Sequence, residues 1–310
     1  MAVSNNSELT IVLAESSAGA PQMGSELGSR AILNSGLLKA LRDHFKQVHI
    51  CEISAKPSLE EDHDHAGMKR PRTVSKATQS IHELVYSHTQ QGRLVLTLGG
   101  DHSNAIGTLT ATTGAFNSKH DRRPAVICVD AHVSINPPEA SPSGNIHGMP
   151  LAFATGLATS QEKGIFDWIQ QNHLIDMKKM VYIGTRDVDD EERKLIQQNG
   201  IKFFDMNDIK KHGIDSVASM ALEYVGEQTP IHLSCDIDAL DPEWAPSAGH
   251  LVPGGLSLQE GELVVRRVHE TGNLIAMDLV EVNPTINVDG VERTVNSACA
   301  LVRGAFGLSV

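Results

Sequence analysis

Positive charge and aromatic residues are scarce in this 310-residue chain, and long apolar runs are absent. The 26 lysine and arginine residues are outnumbered by 38 aspartate and glutamate residues, giving a formal net charge of −12. That balance argues against a nucleic-acid binder or a basic membrane-surface protein. No apolar run approaches the roughly 18–20 residues that span a bilayer, so no membrane partner is expected. The composition, 40% hydrophobic and 21% charged, is typical of a folded globular protein.

Cysteine is also sparse. Cys51, Cys128, Cys235 and Cys299 are scattered without a Cys-x-x-Cys pair, which predicts reduced thiols. The first ten residues lack the charged-then-apolar layout of a secretory signal. These features together predict a cytoplasmic protein. Histidine, in contrast, is abundant at 15 residues, and its side chain suits metal or proton chemistry.

Short β-rich runs alternate with helical patterns along the chain, without repeats or a low-complexity linker. The runs are Leu9–Leu13, Val48–Ile53, Leu94–Leu98, Ala125–Val129, Met180–Ile183, Ile201–Phe204, Ile231–Ser234 and Leu274–Val280. Most are continuously apolar, as expected of strands covered on both faces. The alternation predicts a parallel sheet with helices on both sides. Eight runs fit an open sheet or a closed barrel, and in both the site is expected at the carboxyl ends of the strands.

Two local segments add detail to this prediction. Ser257 followed by Glu260 has the spacing of a capping box, which predicts a helix that ends near Gly272. The segment from Pro57 to Arg72 is the least structured part of the chain and contains the sequence EEDHDH. Its histidines would suit a metal, but we expect a solvated polar loop.

Polar residues follow four of the predicted strands. The segments are Gly99–Ser103, Asp130–Ser134, Cys235–Asp238 and Asp278–Glu281. Residues two apart in an extended chain point to the same face, so Asp130 is expected to project with His132. By the same rule Asp236 projects with Asp238. If His102 joins these two pairs, three carboxylates and two imidazoles meet at one sheet edge.

Such a cluster indicates a metal centre. Crowded carboxylates are costly to bury unless a cation neutralises them. Mixed carboxylate and imidazole ligands suit manganese, iron or zinc. More than four ligands predict two ions that share carboxylates and generate a hydroxide from water. A single such motif also fits a turn or a helix cap, and it is the repetition at several strand ends that favours a functional site.

The sequence resembles the arginase branch of the ureohydrolases over nearly its full length. The matching segments are GSELGS (24–29), GGDHSNAIG (99–107), the stretch from Asp130 through SGNIHG (143–148), GTRDVD (184–189), SCDIDALDP (234–242), GGL (254–256), DLVEVNP (278–284) and TVNSA (294–298). The resemblance implies one α/β domain over residues 1–310, with an open eight-stranded parallel sheet in a three-layer sandwich. It also implies two manganese ions per subunit, hydrolysis of L-arginine to L-ornithine and urea by a metal-activated hydroxide, and a homotrimer or homohexamer.

The resemblance assigns metal ligands residue by residue. His102 corresponds to a ligand of the first ion. His132 and Asp238 correspond to ligands of the second ion, and Asp130 and Asp236 would bridge both ions. Asp130 is therefore also counted among the catalytic residues.

The resemblance assigns two further catalytic roles and a set of substrate contacts. Glu281 would pair with the substrate guanidinium, and His147 would shuttle a proton to solvent. The α-carboxylate and α-ammonium groups would be held by Asn136, Ser143 and Asn145, and by Asp189 and Glu192, respectively. Each of these polar residues, taken singly, also fits a solvated loop.

Two positions depart from the family pattern. Ser134 stands where the family has a third carboxylate, which ligates the first ion and passes a proton to the departing amine. As a metal ligand a serine hydroxyl is poor, so we expect a weak first site and, because general acid–base help is lost, weak turnover. His250 stands where arginases usually carry threonine, and it would repel the guanidinium, add a metal ligand, donate a proton or lie in a surface loop.

These departures leave three functions open. The first is an arginase of reduced activity. The second is a non-catalytic, arginase-like binding or regulatory subunit that keeps the amino-acid pocket. The third is a hydrolase of another guanidino or amidino compound.

Overall fold

A single parallel sheet forms the centre of the molecule. The computed structural model describes residues 8–53, 62–160 and 162–308. The strands are β1 (Glu8–Ala14), β2 (Gln47–Ile53), β3 (Leu94–Gly99), β4 (Ala125–Val129), β5 (Met180–Thr185), β6 (Lys202–Asp205), β7 (Ile231–Asp236) and β8 (Leu274–Val280). They lie in the order β2-β1-β3-β8-β7-β4-β5-β6, and all neighbours are parallel. Each predicted run is a strand, and because β2 and β6 form free edges the sheet is open.

Helices cover both faces of this sheet. They are α1 (Gly28–Ile32), α2 (Leu38–His44), α3 (Pro71–Gln90), α4 (Ala105–His120), α5 (Pro150–Thr155), α6 (Asp190–Asn199), α7 (Met206–His212), α8 (Ile214–Val225), α9 (Leu258–Glu270) and α10 (Val291–Ala305). Alternate residues of β1 enter different cores. Leu9 and Ile11 pack with α1, α2 and α7–α10, whereas Val12 and Ala14 lie on the face covered by α3–α6. The predicted three-layer architecture is confirmed.

The capping prediction for α9 is also confirmed. Ser257 Oγ accepts a hydrogen bond from the Glu260 backbone N–H at 3.3 Å, and Glu260 Oε2 accepts one from the Ser257 backbone N–H at 2.8 Å. The helix ends at Glu270, and Gly272 follows with a positive φ of 66°. The local sequence therefore predicted both ends of this helix.

The histidine-rich segment before α3 is exposed where the structure describes it. His63 and His65 both have exposed side chains. Neither belongs to a candidate metal-binding group within the described ranges. Residues 57–61 of the predicted loop lie outside the described residues. Within those ranges, no helix is long and apolar enough to cross a bilayer.

The strand order places the functional segments side by side. The four strands followed by polar segments are β3, β4, β7 and β8, and these form the contiguous centre of the sheet, in the order β3-β8-β7-β4. Their carboxyl ends therefore meet at one edge, where open parallel sheets characteristically bind ligands. One member of those segments does not reach the edge. Asp278 lies inside β8, as the predicted run Leu274–Val280 implies, so its inclusion among the residues that follow the strand is wrong. It is buried, and its Oδ2 is 2.9 Å from His232 Nε2.

Candidate metal centre and substrate pocket

One group of potential metal ligands joins three strand ends. His102 lies in a 3-10 turn after β3, Asp130 directly follows β4, and Asp236 is the last residue of β7. His102 Nδ1 is 3.2 Å from Asp130 Oδ2 and 3.6 Å from Asp236 Oδ2. All three side chains are buried. One ligand atom from each lies within 4.8 Å of the other two, which is close enough for a single ion.

A second group shares Asp130 with the first. His132 Nδ1 is 3.1 Å from Asp238 Oδ2 and 3.6 Å from Asp130 Oδ1. The two oxygens of Asp130 therefore face different histidines. Asp236 belongs only to the first group, and its Oδ1 accepts a hydrogen bond from the Asp238 backbone N–H at 2.9 Å. The bridging role of Asp236 thus stays a prediction.

The backbone that brings these residues together differs from the one expected. Asp236 ends a strand, but Asp238 lies in the 3-10 turn Ile237–Ala239. The assumption of an extended chain through this pair is wrong, since the Asp236 carboxylate caps the turn. The Asp130 carboxylate likewise accepts a hydrogen bond from the His132 backbone N–H at 2.7 Å. Local side-chain-to-backbone bonds of this kind favour tight turns over continued strands.

The site concentrates negative charge. Its buried carboxylates are Asp101, Asp130, Asp236, Asp238 and Glu281. Among the described residues none of them forms an ion pair with lysine or arginine, and their charged contacts are imidazoles. Burial and the neighbouring carboxylates raise the pKa of Asp236 well above its ordinary value. Burial lowers the pKa of His132, but its hydrogen bonds to Asp130 and Asp238 raise the pKa to about 11. The cluster therefore favours bound cations.

One orphaned atom supports a metal centre. Asp130 Oδ2 is buried and accepts no hydrogen bond within the described part of the chain, although His102 Nδ1 is 3.2 Å away. An uncompensated buried carboxylate oxygen is costly. Oxygen and imidazole nitrogen donors in this arrangement fit divalent manganese, iron or zinc.

Glu281 and His147 form the adjoining wall. Glu281 follows β8 with a positive φ of 66°, and its Oε1 accepts a hydrogen bond from the His102 backbone N–H at 2.9 Å. The same oxygen lies 3.2 Å from His147 Nδ1. Burial lowers the pKa of His147, but the hydrogen bond to Glu281 raises it by more, so the pKa lies above its ordinary value. A Cβ at Gly249 would lie 2.1 Å from Glu281 Oε2, so a larger residue at this position would displace the Glu281 carboxylate.

A pocket of about 290 Å³ opens above these groups. Its lining is His102, His132, Ser134, Asn136, Ser141, Pro142, Ser143, His147, Gly148, Asp187, Asp189, Glu192, Asp236, Asp238, His250 and Glu281. The structure thus brings nearly all the predicted site residues to one cavity. The exceptions are Asp130, which lies beneath the floor, and Asn145, whose amide is buried and whose Oδ1 has no hydrogen-bond partner within the described ranges.

The side of the pocket away from the metal cluster is a polar network. Asn136 Nδ2 donates to Asp189 Oδ2 at 2.6 Å. Asp189 and Glu192 form a capping box at the start of α6, and Glu192 Oε1 accepts from the Ile135 backbone N–H at 3.4 Å. Burial raises the pKa of Glu192 to about 7. This wall can therefore present hydrogen-bond donors beside carboxylates.

Ser134 and Ser143 lie on the loop between β4 and α5. Ser134 is buried in the pocket wall with a φ of 52°, and its carbonyl accepts a hydrogen bond from the Leu151 N–H at 3.0 Å. Ser143 Oγ accepts a hydrogen bond from the Asn145 backbone N–H at 3.2 Å. Both serines thus reach the cavity, while their effects on metal and substrate binding stay predictions.

Three residues that support the site were not identified by the sequence analysis. Asp101 anchors the loop that contains Gly19, because its Oδ2 accepts a hydrogen bond from the Gly19 backbone N–H at 2.9 Å. Asp187 lines the pocket, and its Oδ2 is 4.0 Å from Nε2 of the exposed His250. Arg186 donates to backbone carbonyls beneath the pocket. The sequence did offer a signal for Arg186 and Asp187, because both directly follow β5 in the segment GTRDVD.

The architecture defines the class of protein as an α/β enzyme with a candidate two-ion centre at the carboxyl edge of a parallel sheet. The arginase family model matches residues 7–307, and the chain belongs to that family. It is accordingly an arginase-type amidinohydrolase.

Known relatives cover almost the whole chain. The arginase of Coccidioides posadasii (strain C735) is 51% identical over 98% of this chain and 95% of its own length. The arginase of Emericella nidulans is 49% identical with the same coverage. The crystal structure of Entamoeba histolytica arginase in complex with L-ornithine is 28% identical, with a TM-score of 0.88 over 97% of this chain and 98% of that one. The fold and family expected from the sequence are confirmed.

Proposed function

We propose that this protein hydrolyses L-arginine to L-ornithine and urea with two manganese ions at the carboxyl edge of the sheet. The observation that carries the proposal is the pair of ligand groups that share Asp130 at the pocket floor. The relatives named arginase support the reaction, as does the similar structure that holds L-ornithine.

The metal ligands divide between the two positions. His102, Asp130 and Asp236 would hold the first ion, and Asp130, His132 and Asp238 the second, with Asp236 shared by resemblance. Divalent ions at such a site lower the pKa of water and supply a nucleophile near neutral pH. The aspartates supply −3 against +4 from two ions, so the centre keeps a positive excess that favours ionisation of water.

Glu281 positions the guanidinium. Its Oε1 is held by the His102 backbone N–H and by His147, which leaves Oε2 beside Gly249 to receive a planar cation. His147 is partly exposed, at 23% of its side chain, and so connects the buried carboxylate to solvent. We assign it the transfer of a proton to bulk water.

The far wall would select an amino acid over a simple amine. Asn136 and Ser143, which line the pocket, would donate hydrogen bonds to the α-carboxylate. Asn145 has this role by resemblance alone. Asp189 and Glu192 would attract the α-ammonium group. Agmatine lacks the carboxylate and would leave the donors unpaired, which disfavours it as a substrate.

Ser134 limits this activity. Without a carboxylate at this position the first ion loses an anionic ligand, and the departing amine loses a proton donor. We therefore expect the second metal position to fill first and turnover to be weak. The proposal includes a cytoplasmic location and a homotrimeric or homohexameric assembly. Light scattering of the purified protein tests the assembly.

The decisive experiment measures urea release from arginine and manganese content on the same sample. Ser134→Asp should raise turnover by at least about tenfold, because general acid–base help is worth roughly 10²–10⁴-fold. Ser141→Asp is the matched control, since Ser141 lines the same pocket. It should give no such gain.

The other outcomes separate the alternatives. Two tightly held manganese ions in the untreated protein would contradict a weak first site. Calorimetric binding of arginine without urea release, in both the parent and Ser134→Asp, would identify a non-catalytic binding protein. Preferential hydrolysis of agmatine or guanidinobutyrate would identify a different substrate.

A further inference from the structure

We propose that the pocket mouth carries a third cation site, formed by His132, Asp187 and His250 and here called the rim site. One ligand atom of each residue lies within 4.8 Å of the other two. Asp187 Oδ2 is 3.6 Å from His132 Nε2 and 4.0 Å from His250 Nε2. Two imidazole nitrogens with one carboxylate favour zinc, nickel or copper over manganese or magnesium. The site goes beyond the proposed function and does not depend on it.

The backbone under the rim site is held in place. Arg186 donates from Nε and Nη2 to the Val252 carbonyl, at 3.0 and 2.7 Å, and from Nη2 to the Asp238 carbonyl at 2.6 Å. These bonds tie the loop after β5 to the loop that carries His250. The Asp187 backbone N–H donates to the Ala131 carbonyl at 3.1 Å. Asp187 is thereby anchored next to His132 before any ion binds, which reduces the entropic cost of assembling the ligands.

The two histidine rings of the rim site lie close together, and the backbone beside His250 is anchored. The His250 ring lies 5.2 Å from the His132 ring at 69°, and the Gly249 backbone N–H, one residue before His250, donates to the Glu281 carbonyl at 3.1 Å. The side chains of His250 and Asp187 are 63% and 57% exposed. Solvent can therefore complete a tetrahedral coordination shell, as zinc commonly requires.

His132 connects the rim site to the pocket floor. Its Nδ1 faces Asp238 at 3.1 Å, while its Nε2 faces Asp187 at 3.6 Å. A neutral imidazole has one lone pair and one N–H among its two nitrogens. An ion on the rim and an ion on the floor thus compete for His132, which belongs to both ligand groups. Zinc at the rim should accordingly weaken manganese binding at the second floor position.

Zinc binding in variants of the whole chain tests the proposal. Asp130→Asn removes a carboxylate from both floor groups and leaves every rim ligand in place, so equilibrium dialysis of this metal-stripped variant should give one bound zinc. Adding His250→Thr should weaken that zinc by at least about tenfold, since even indirect ligand contacts are worth 10–100-fold in affinity. Adding His212→Asn instead is the matched control, because His212 is an exposed histidine at the end of α7.

The readouts are independent of arginine turnover. Copper(II) in Asp130→Asn should show nitrogen hyperfine coupling that loses one nitrogen on His250→Thr. In the parent protein, zinc should weaken manganese binding, and His250→Thr should remove that effect. Equal zinc affinity with and without His250→Thr, or an unchanged copper spectrum, would overturn the rim site even if the protein proves to be an active arginase.

Discussion

Two groups of histidine and aspartate lie along strand β7, one in the middle of the sheet and one at its carboxyl edge. In the mid-sheet pair, His232 Nε2 lies 2.9 Å from Asp278 Oδ2, which also accepts a hydrogen bond from Thr108, and the two ionisable side chains are only 1% and 2% exposed. The edge cluster consists of His102, Asp130, His132, Asp236 and Asp238. It has more carboxylates than imidazoles and opens into a pocket. Position along the strand, rather than residue type, therefore separates a structural pair from a ligand-binding group.

The largest expected effect breaks the mid-sheet pair. Asp278→Ala removes the acceptor of the buried His232 and Thr108 hydrogen bonds, and each buried polar group left unsatisfied costs about 1–3 kcal/mol. The free energy of unfolding, measured by urea titration, should fall by that amount. Asp187→Ala at the exposed rim is the control and should change stability by no more than about 0.5 kcal/mol. A loss below about 1 kcal/mol for Asp278→Ala would mean that the pair does not hold the sheet together.

A pH effect is expected in the far wall of the pocket. The pKa of Glu192 is raised by burial from 4.5 to about 7. The folded state therefore binds more protons than the unfolded state between these values, so stability should fall as the pH rises from 4.5 through 7 and then level off. This contribution is at most about 3 kcal/mol, at 1.36 kcal/mol per pH unit.

Unfolding at pH 5 and pH 8 measures the Glu192 contribution. Glu192→Gln should remove it, because an amide does not ionise. Glu191→Gln, on the exposed side of the same helix turn, should keep the parental pH dependence. The same pH dependence in Glu192→Gln as in the parent would assign the effect to another group.

The edge cluster should respond in the opposite way to the mid-sheet pair. Asp236→Asn preserves the acceptor for the Asp238 N–H but removes a charge, so manganese binding and arginine turnover should fall by at least about 100-fold, or about 2.7 kcal/mol. The metal-free variant should be as stable as the parent or more stable, because burial and Asp238 already raise the pKa of Asp236. A large loss of stability would place Asp236 with the structural pair.

The smallest expected effect comes from a substitution at Gly249, beside Glu281 at the edge of the sheet. In Gly249→Ala, a Cβ built on the parent backbone would lie 2.1 Å from Glu281 Oε2 and would displace that carboxylate. Turnover should fall by about tenfold, since small misplacements of positioning groups cost up to about 10²-fold in rate. Gly148→Ala should have a smaller effect, because a Cβ there meets no atom within 4 Å. Equal losses in the two variants would argue against a positioning role for Gly249.

Local sequence was sufficient for the elements and for the identities of the candidate ligands. Continuous apolar runs such as Leu274–Val280 predicted the strands because strands covered on both faces need no polar face. The Ser257 capping box was readable because its bonds span only three residues. Polar residues at strand ends stood out because a core does not accept them unpaired. The cluster was therefore predictable in composition.

Tertiary structure decided which of these residues meet. The crossovers place β8 and β7 between β3 and β4, so Glu281 accepts a hydrogen bond from His102, 179 positions away in the chain. The same packing closed Asp278 onto His232 and brought His250 beside Asp187. Contacts of this kind depend on strand order and loop closure, which periodicity within a segment does not encode. The sequence by itself predicted the candidate ligands, and the sheet determined their arrangement.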